Sequence, residues 1–299
     1  MGKGTGIQWT DDTDNVIVVK GGGWWCRKLS EGCFGCFAAE LNQNLFYGGN
    51  RLAYSGPPPP LVLRTDLLDG WSRQTRPRLH FVASMTDVFG DWVDRKWQLA
   101  MFDAMTAAPK QIFQVLTKRP GIFADAAIEW CALRGRDSLP DNIWPGTSVE
   151  NQKRADERRE AFRRIPARYK FVSYEPALDR VQWDGWEFVS QIISGGESGK
   201  RARPSHQAWH RETRDWCAKH HVAFFFKQWG EFLPEDQVDA EGQKSCASNW
   251  TSRVHTWEDE SHSTRIGKHQ AGGMLDGRAH LDFPAFDHPA LSKRPKVAA

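Results

Sequence analysis

Short apolar runs alternate with amphipathic stretches along the chain after residue 78. The runs are rich in Val, Ile and Phe and have the length of buried strands. They predict six strands, at Leu79–Ser84, Gln111–Thr117, Ile143–Val149, Tyr169–Tyr174, Phe188–Ser194 and Val222–Lys227. The stretches between them predict helices at Asp91–Ala107, Gly121–Leu133, Asn151–Ile165 and Ser205–His220. An earlier helix is predicted from Cys36 to about Tyr47, ended by Gly48 and Gly49.

This alternation predicts an α/β fold with a parallel sheet covered by helices, either a barrel or an open sheet. Pro57–Pro60 predicts a rigid surface connector, because four prolines fit neither a helix nor a central strand. Leu233–Arg265 is polar, which predicts a long insertion or a loosely packed subdomain. We therefore divide the chain into an α/β part, residues 1–232, and a polar extension, residues 233–299. The extension is expected to pack on the α/β part and to end in a disordered tail at Ser292–Ala299.

Composition excludes several classes of protein. The 299 residues are 40% hydrophobic and 26% charged, which excludes wholesale disorder. The chain lacks the run of about 18 apolar residues that a membrane span needs, and its first residues lack a hydrophobic leader, so we expect a cytoplasmic protein. The net charge of +3 is too small to indicate a nucleic-acid binder by itself.

Polar residues follow every predicted strand at the point where it ends. The carboxyl ends of parallel strands converge on one face of an α/β sheet, where ligands bind, so this pattern predicts an active-site rim. Polar residues that merely begin loops would explain one or two such ends better than six. The rim residues are Ser84, Asp87, Thr117, Lys118, Arg119, Ser148, Glu150, Ser173, Glu175, Ser194, Gly195, Gly196, Glu197, Lys227 and Gln228.

Three of the six cysteines are close together, in the pattern Cys26-x6-Cys33-x2-Cys36. In a reducing compartment this trio predicts a metal or cluster site. A structural zinc ion would need a fourth ligand from elsewhere in the chain. A 4Fe–4S cluster usually has four cysteine ligands, so three would leave one iron open to an exogenous ligand. Three buried free thiols are the least favoured alternative, because neighbouring thiols oxidise readily.

The cysteine pattern and a series of further blocks resemble a phage and bacterial three-cysteine-motif family related to radical S-adenosylmethionine (SAM) enzymes. Ile7–Thr10 precedes the cysteines and Phe37–Glu40 follows them. The other blocks are Ser84–Asp87, Leu116–Pro120, Ser148–Asn151, Ser173–Pro176, Gly195–Ser198, Phe225–Gly230 and Leu275–Arg278. The chain departs from the usual radical SAM spacing, C-x3-C-x2-C, in its wider first gap, and it carries the unusual segment Gly21–Trp25 before the first cysteine.

The resemblance implies a partial (β/α) barrel of the TIM-barrel type with helices outside. It implies that Cys26, Cys33 and Cys36 hold a 4Fe–4S cluster, and that SAM binds the open iron and is cleaved by one electron. The resulting 5′-deoxyadenosyl radical then takes a hydrogen atom from the substrate. Phe34 is expected to pack over the cluster or the adenine.

The resemblance also gives roles to the rim residues. By their order along the chain, Ser84 and Asp87 are assigned to the SAM ammonium. Gly195-Gly196-Glu197 resembles a SAM-binding element that stands earlier in other radical SAM enzymes. The other assignments are Lys118 and Arg119 to the SAM carboxylate or a substrate phosphate, Ser148 and Glu150 to cofactor binding, and Glu175 and Lys227 to catalysis, with Lys227 alternatively a buried ion-pair partner.

The type of family favours a base in DNA or a nucleotide as the substrate, in phage DNA modification or repair within the host cytoplasm. The basic helix Asn151–Ile165 also favours it, since Arg158, Arg159, Arg163 and Arg164 would suit phosphates, although such a run is most often a solvated face. A reductase or another electron donor is an implied partner, and no membrane is. Two alternatives stay open: a non-catalytic, zinc-stabilised protein that binds nucleic acid or another partner, and the same cofactors acting on a protein or a small metabolite.

Overall fold

The main sheet has eight strands, and its seven parallel strands curl into a half-barrel. The computed structural model describes residues 2–237 and 254–296. The first strand, β1, is antiparallel to β2, and all later neighbours are parallel. A separate hairpin is formed by β3 and β4. The strands are β1 (Gly2–Lys3), β2 (Asp12–Asp14), β3 (Ile17–Val19), β4 (Leu61–Leu63), β5 (Leu79–Val82), β6 (Ile112–Thr117), β7 (Ile143–Ser148), β8 (Phe171–Tyr174), β9 (Gln191–Gly195) and β10 (Ala223–Gln228).

All six predicted strands are confirmed, as β5 to β10, and so is the α/β fold with helices outside. These six strands lie in the sheet in the order in which they follow each other along the chain, and each neighbouring pair is parallel. The largest difference between a predicted and an observed strand boundary is at β9, which begins at Gln191 and was predicted to begin at Phe188. The reason is a turn just before it, in which the Val189 N–H donates to the Trp186 carbonyl at 3.0 Å.

The sequence pattern missed β2, the first parallel strand, because its residues are Asp-Thr-Asp. Asp12 and Asp14 are nevertheless almost fully buried. Arg78 donates to Asp12 Oδ1 at 2.9 Å. Asp14 Oδ2 accepts from Trp71 Nε1 at 2.8 Å and lies 2.7 Å from His80 Nδ1. Buried carboxylates persist where such partners replace water, so a strand that looks exposed in the sequence is buried in the fold.

In the described part of the chain, five helices cover the sheet, and four of them were predicted. A short helix, α1, precedes them in the cysteine-rich region, and another short one, α7, follows them. The helices are α1 (Phe37–Asn42), α2 (Thr65–Arg73), α3 (Arg95–Thr106), α4 (Pro120–Leu133), α5 (Gln152–Arg163), α6 (Gln207–Lys219) and α7 (Lys268–Ala271). The predicted start at Asp91 is too early, because Asp94 caps α3 and accepts from the Lys96 N–H at 2.8 Å. Asn151 caps α5 in the same way.

The helix predicted from Cys36 to Tyr47 is shorter than expected. It ends at Asn42 and is followed by a separate 3-10 turn, Leu45–Tyr47. The Asn44 side chain caps this turn by accepting from the Phe46 N–H at 2.9 Å. Gly48 closes it with φ +80°, so the predicted glycine stop is at the right position.

Two apolar clusters pack against opposite faces of the sheet. The larger lies between the sheet and the helices and includes Trp71, Phe113 and Trp130. The smaller fills the concave face, where Trp9 contacts the rings of Phe81 and Phe171 at 4.7 and 5.9 Å. Further members of the smaller cluster stand at or near the starts of their strands, namely Leu79, Ile112 and Trp144. The apolar filling therefore lies near the amino ends of the strands, away from the edge where the predicted rim residues stand.

The chain after β10 packs against the half-barrel. Its described parts form a small antiparallel sheet of β11 (Phe232–Pro234), β12 (Val254–Thr256) and β13 (His262–Arg265). Leu281 pairs with Phe225 of β10. Residues 238–253, with Cys246, lie outside the described residues, and the domain division at residue 232 stays a prediction.

The predicted disordered tail is packed over its described part. Arg294 donates to Asp11 Oδ1 at 2.7 Å, and its guanidinium lies 4.7 Å from the centre of the Phe283 ring. An ion pair and a cation–π contact thus tie Arg294, inside the segment expected to be a disordered tail, to the rest of the protein. Residues 297–299 lie outside the described residues. Within the described ranges, none of the helices combines the length and the apolar character needed to cross a membrane.

We expect Asp14→Ala to lower the free energy of unfolding by about 3 kcal/mol, because His80 and the Trp71 indole would be left without a buried partner. The control is Asp66→Ala, which removes a solvent-exposed ion pair with Arg64 and should cost at most about 1 kcal/mol. Urea unfolding followed by tryptophan fluorescence measures both changes. Equal destabilisation would show that the Asp14 hydrogen bonds do not support the sheet.

Stability should also fall in acid because of His210, which is fully buried between Ser194 Oγ at 2.7 Å and Ser205 Oγ at 3.0 Å. Burial lowers the pKa of His210 to about 3, from an ordinary value of 6.5. Between those two pH values the unfolded chain binds a proton that the folded chain does not, so stability is complete above pH 6.5 and decreases as the pH falls towards 3.

The measurement is the free energy of unfolding at about pH 7.5 and pH 5 for the parent and for His210→Gln. The variant should be less stable than the parent at both pH values. Its free energy of unfolding should, however, fall by about 2 kcal/mol less than that of the parent between pH 7.5 and pH 5. His269→Gln, at an exposed position on α7, should keep the pH dependence of the parent. An unchanged slope in His210→Gln would assign the acid sensitivity to other groups.

Candidate functional site

The predicted rim residues meet at one edge of the half-barrel. Lys118, just after β6, contacts Glu150, just after β7. Asp87, in the segment after β5, accepts from Thr117 Oγ1 at 2.7 Å and from the Lys118 N–H at 3.1 Å. Residues that end three neighbouring strands thus form one connected polar network.

The cysteine loop, residues 24–36, lies across this edge. It follows β3 and so leaves the sheet beyond the carboxyl end of β2. Arg119 donates to the Arg27 carbonyl at 3.1 Å, and Arg203 donates to the Glu31 carbonyl at 3.0 Å. Two side chains, one just after β6 in the middle of the sheet and one after β9, therefore hold the loop by its backbone.

Two glycines allow the loop to approach the rim closely. A Cβ on Gly32 would lie 2.7 Å from Glu150 Oε1 and 3.0 Å from Lys118 Nζ. A Cβ on Gly35 would lie 2.5 Å from Glu197 Oε1. Any larger residue at either position would have to displace the Glu150 or Glu197 carboxylate. The positions of the two glycines within the cysteine motif therefore allow the loop to lie directly on the rim.

The three cysteines of the loop are close enough to interact electrostatically, and none is in a disulfide. Burial and the Asp87 carboxylate raise the pKa of Cys26 to about 12, and Cys36 contributes to the rise. Burial likewise raises the pKa of Cys36, and Cys33 contributes. Cys36 therefore interacts with both other thiols.

Cys33 differs from the other two in the direction of its pKa shift. Burial acts to raise the pKa of Cys33, but Lys118 and nearby hydrogen-bond donors outweigh it, so that this pKa lies below its usual value. The Leu29 N–H donates to Cys33 Sγ at 3.4 Å, and Ser30 Oγ lies 3.8 Å from the same sulfur. Cys33 is thus the thiol best prepared to act as a thiolate ligand.

The other described cysteines are structural. Cys131 is buried on α4 and Cys217 on α6, in the core between the helices and the sheet. Among residues 2–237 and 254–296, no three His, Cys, Asp or Glu side chains are close enough to hold a single metal ion.

Glu150 is the most constrained carboxylate of the rim, with a side chain that is 0% exposed. It contacts Lys118 and accepts from Arg158 at 2.7 Å and from Ser30 Oγ at 2.5 Å. Burial acts to raise the pKa of Glu150, but Lys118 and Arg158 outweigh it and lower the pKa to about 2. Glu150 is therefore ionised, and it ties the cysteine loop to β6, β7 and α5.

The other rim carboxylates are paired with protein cations as well. Asp87 Oδ2 accepts from Arg119 at 2.9 Å. Glu197 accepts from two nitrogens of the Arg203 guanidinium, at 2.6 and 2.8 Å. Ion pairs with protein cations thus engage Asp87, Glu150 and Glu197 alike.

Lys227 forms the buried ion pair that was one of its two predicted roles. Its Nζ lies 2.6 Å from Glu175 Oε1, and both side chains are 17% exposed. Gln228 donates to Ser198 Oγ at 2.8 Å beside this pair. A catalytic role for Lys227 or Glu175 would require a ligand to contact this ion pair, and it stays a prediction.

The remaining predicted residues lie on the same edge with weaker contacts. Ser84 Oγ is 3.4 Å from Asn15 Oδ1. The carbonyl of the buried Ser148 accepts from Arg158 at 2.7 Å. The Gly195 carbonyl accepts from the Ala177 N–H at 3.0 Å, and the Gly196 N–H donates to the Gln228 carbonyl at 2.9 Å. These contacts show placement on the edge and leave the SAM assignments as predictions.

The structure separates the four arginines that the sequence offered either as phosphate contacts or as a solvated face. Arg158 is buried and points to Glu150, beneath the cysteine loop. Arg159 and Arg163 donate to the carbonyls of Asp184 and Gly185 at 3.1 and 2.6 Å. Arg164 lies 2.9 Å from Asp125. Partners on neighbouring segments therefore engage all four guanidinium groups.

A cavity of about 340 Å³ adjoins the cysteine loop. Lys28, Leu29, Ser30, Glu31, Phe34 and Arg154 line it. Its volume is in the range of small-molecule sites. Phe34 is 69% exposed at its edge, so its ring is free to cover a ligand there.

Sequence reasoning missed the positioning role of three residues at the site. Ser30, Arg158 and Arg203 all contact the rim carboxylates or the loop. Ser30 lies between Cys26 and Cys33, so its position in the motif could have indicated a role at the site. Arg158 belongs to a helix whose charge pattern indicates a solvated face, and Arg203 stands in a segment without periodicity.

Comparisons with known proteins give one family match. A family model described as "Protein of unknown function (DUF5131)" matches residues 4–284, which include the cysteine loop and every rim residue. No curated protein and no solved structure matches the chain.

We expect Gly35→Ala to destabilise the protein by about 1–3 kcal/mol, because the added methyl would overlap a carboxylate that Arg203 holds on both oxygens. Gly121→Ala is the matched control, since a Cβ there, on α4, meets nothing within 4 Å. It should be neutral or slightly stabilising. Thermal unfolding compares the two, and an equal effect would show that the loop can move away from Glu197.

Proposed function

The chain belongs to the DUF5131 family, and we propose that it is a radical SAM enzyme with a 4Fe–4S cluster on Cys26, Cys33 and Cys36. The observation that carries the proposal is the position of three free thiols on a loop held against the carboxyl edge of a parallel half-barrel. That edge is where α/β enzymes bind their ligands.

The donor set fits a cluster better than a single ion. Three thiols interact electrostatically, while no three ligating side chains in the described part of the chain converge on one point. In a cluster each thiolate binds a different iron, so the ligands stand farther apart than around zinc. Hydrogen bonds to the sulfurs are also a recognised influence on clusters, and Cys33 receives one from the Leu29 N–H.

When bound, such a cluster supplies the electron that cleaves SAM and so begins hydrogen abstraction from a substrate. The chain's own residues would orient these groups. Lys118 places a positive charge beside Cys33, and Arg119 orients Asp87, the carboxylate that raises the pKa of Cys26. The cavity beside Phe34 would receive part of SAM. The ion pairs of Glu150 with Lys118 and Arg158 would keep the cysteine loop in a fixed position relative to the sheet.

For the substrate we propose a base in DNA or a nucleotide, because an exposed aromatic and cationic surface adjoins the loop. The partner would be a reductase or another electron donor. A non-catalytic, zinc-stabilised binding protein is the second candidate. It is favoured only by the thiols themselves, which are ligands for zinc as well as for iron.

Replacing any one of Cys26, Cys33 or Cys36 with Ala should remove most of the iron from anaerobically purified protein, because two thiolates retain a cluster poorly. Cys131→Ala and Cys217→Ala are matched controls, since both thiols are buried in the core. They should keep the iron of the parent. Iron and sulfide analysis, with absorbance near ~400 nm, gives the measurement.

The parent should also form 5′-deoxyadenosine when incubated anaerobically with SAM and dithionite, and the three loop variants should not. Equal iron loss in the two sets of variants would reject the ligand assignment. A colourless parent that holds zinc after anaerobic reconstitution with iron and sulfide would favour the second candidate instead.

A further inference from the structure

The exposed aromatic rings of this protein are concentrated beside the cysteine loop. Among the described residues, four aromatic side chains are strongly exposed: Phe34 by 69%, Phe37 by 55%, Phe46 by 90% and Tyr47 by 60%. The strongly exposed apolar residues elsewhere in the described chain are aliphatic, for example Leu133 and Met274. We call these four rings the aromatic surface.

The segment that carries the aromatic surface is firmly held. Asn42 is fully buried, and its side chain accepts from the Trp24 N–H at 3.1 Å and donates to Asn50 Oδ1 at 2.7 Å. The Phe46 and Tyr47 rings lie 5.5 Å apart, edge to face. The backbone thus holds these rings in solvent, where they contribute little to the core.

Four exposed cations lie in or near the same segment. Lys28 and Arg51 belong to it, and Lys200 and Arg201 lie in the turn after β9. That turn approaches α1, since a Cβ on Gly199 would lie 3.4 Å from Glu40 Oε2. None of the four side chains makes an ion pair or a hydrogen bond with another described residue. By contrast, the arginines Arg158, Arg159 and Arg163 of α5 donate hydrogen bonds to oxygen atoms of other residues.

We propose that the aromatic surface and these cations bind single-stranded nucleic acid. Exposed rings stack on bases of any sequence, and free cations beside them neutralise phosphates. A single strand fits better than a duplex, because only unpaired bases offer their faces to protruding rings. The charges favour a polyanion over a second copy of this chain, since pairing two such surfaces would bring like charges together.

Two rings of the aromatic surface lie next to the cysteines in the sequence. Phe34 stands between Cys33 and Cys36, and Phe37 follows directly. A strand stacked on these rings would therefore bring one base next to the thiols. This last step rests on the proposed function, whereas the binding itself does not.

The test uses the full-length protein and a fluorescein-labelled 20-nucleotide single strand, as DNA and as RNA, with fluorescence anisotropy at several salt concentrations. Phe46→Ala and Tyr47→Ala together should weaken binding by about tenfold for each ring that stacks on a base. Leu133→Ala with Met274→Ala is the matched control and should bind as the parent does.

Charge is tested by the triple variant Arg51→Gln, Lys200→Gln and Arg201→Gln. For each phosphate that is no longer neutralised, the slope of log affinity against log salt should become shallower by about 0.7. The control with the same change in charge, Arg163→Gln, Arg164→Gln and Arg168→Gln, removes paired arginines from α5 and its C-terminal side and should leave the slope unchanged.

Three results would overturn the proposal: no binding by the parent at low salt, parent-like binding by the double aromatic variant, or abolished binding in the α5 control. A parent dimer that the aromatic variant abolishes, without nucleic-acid binding, would show that the surface binds a second copy instead. Iron content and 5′-deoxyadenosine formation are measured on the same preparations. Binding without iron would reject only the proposed function, and SAM cleavage without binding would reject only this proposal.

Discussion

The buried carboxylate of Glu150 is the group on which the site depends. An ionised group without exposure to water needs close partners, and here they come from three directions: Lys118 after β6, Arg158 on α5 and Ser30 in the cysteine loop. The Glu150 carboxylate contacts all three partners at once. It therefore fixes the cysteine loop, α5 and the ends of β6 and β7 relative to one another. The position of Cys33 follows from it, since Ser30 and Lys118 both adjoin that sulfur.

The sequence predicted the fold and the edge of the sheet well, because both depend on local patterns. Apolar runs identified β5 to β10, and the polar residues that end them do meet. It could not predict which residues pair across long separations. Asp12 and Asp14 look solvent-exposed in a local window, and Arg158 looks like one charge of a basic helical face. Their burial depends on Arg78, His80 and Glu150, which are distant in the chain or on another element.

The paired rim changes how a ligand could be recognised. Each of the carboxylates that the sequence assigned to ligands already neutralises an arginine or a lysine of the protein, so a ligand cation would have to displace a strong internal interaction. The ion pairs are better suited to fixing backbone positions than to exchanging partners. The cysteine loop, by contrast, carries three thiols that are free of disulfides, and our functional proposal therefore rests on this loop.

The aromatic residues divide into two populations with different physical roles. The largest buried rings, such as Trp71, Trp130 and Trp186, fill the space between sheet and helices, where burial stabilises the fold. Phe46 and its neighbours gain little from folding, and yet Asn42 and Asn44 fix the backbone that exposes them. Rings held in water add little to stability, and this is why we propose a bound partner for them. The same short stretch of chain also contains the three cysteines, so the proposed recognition and the proposed chemistry would lie side by side.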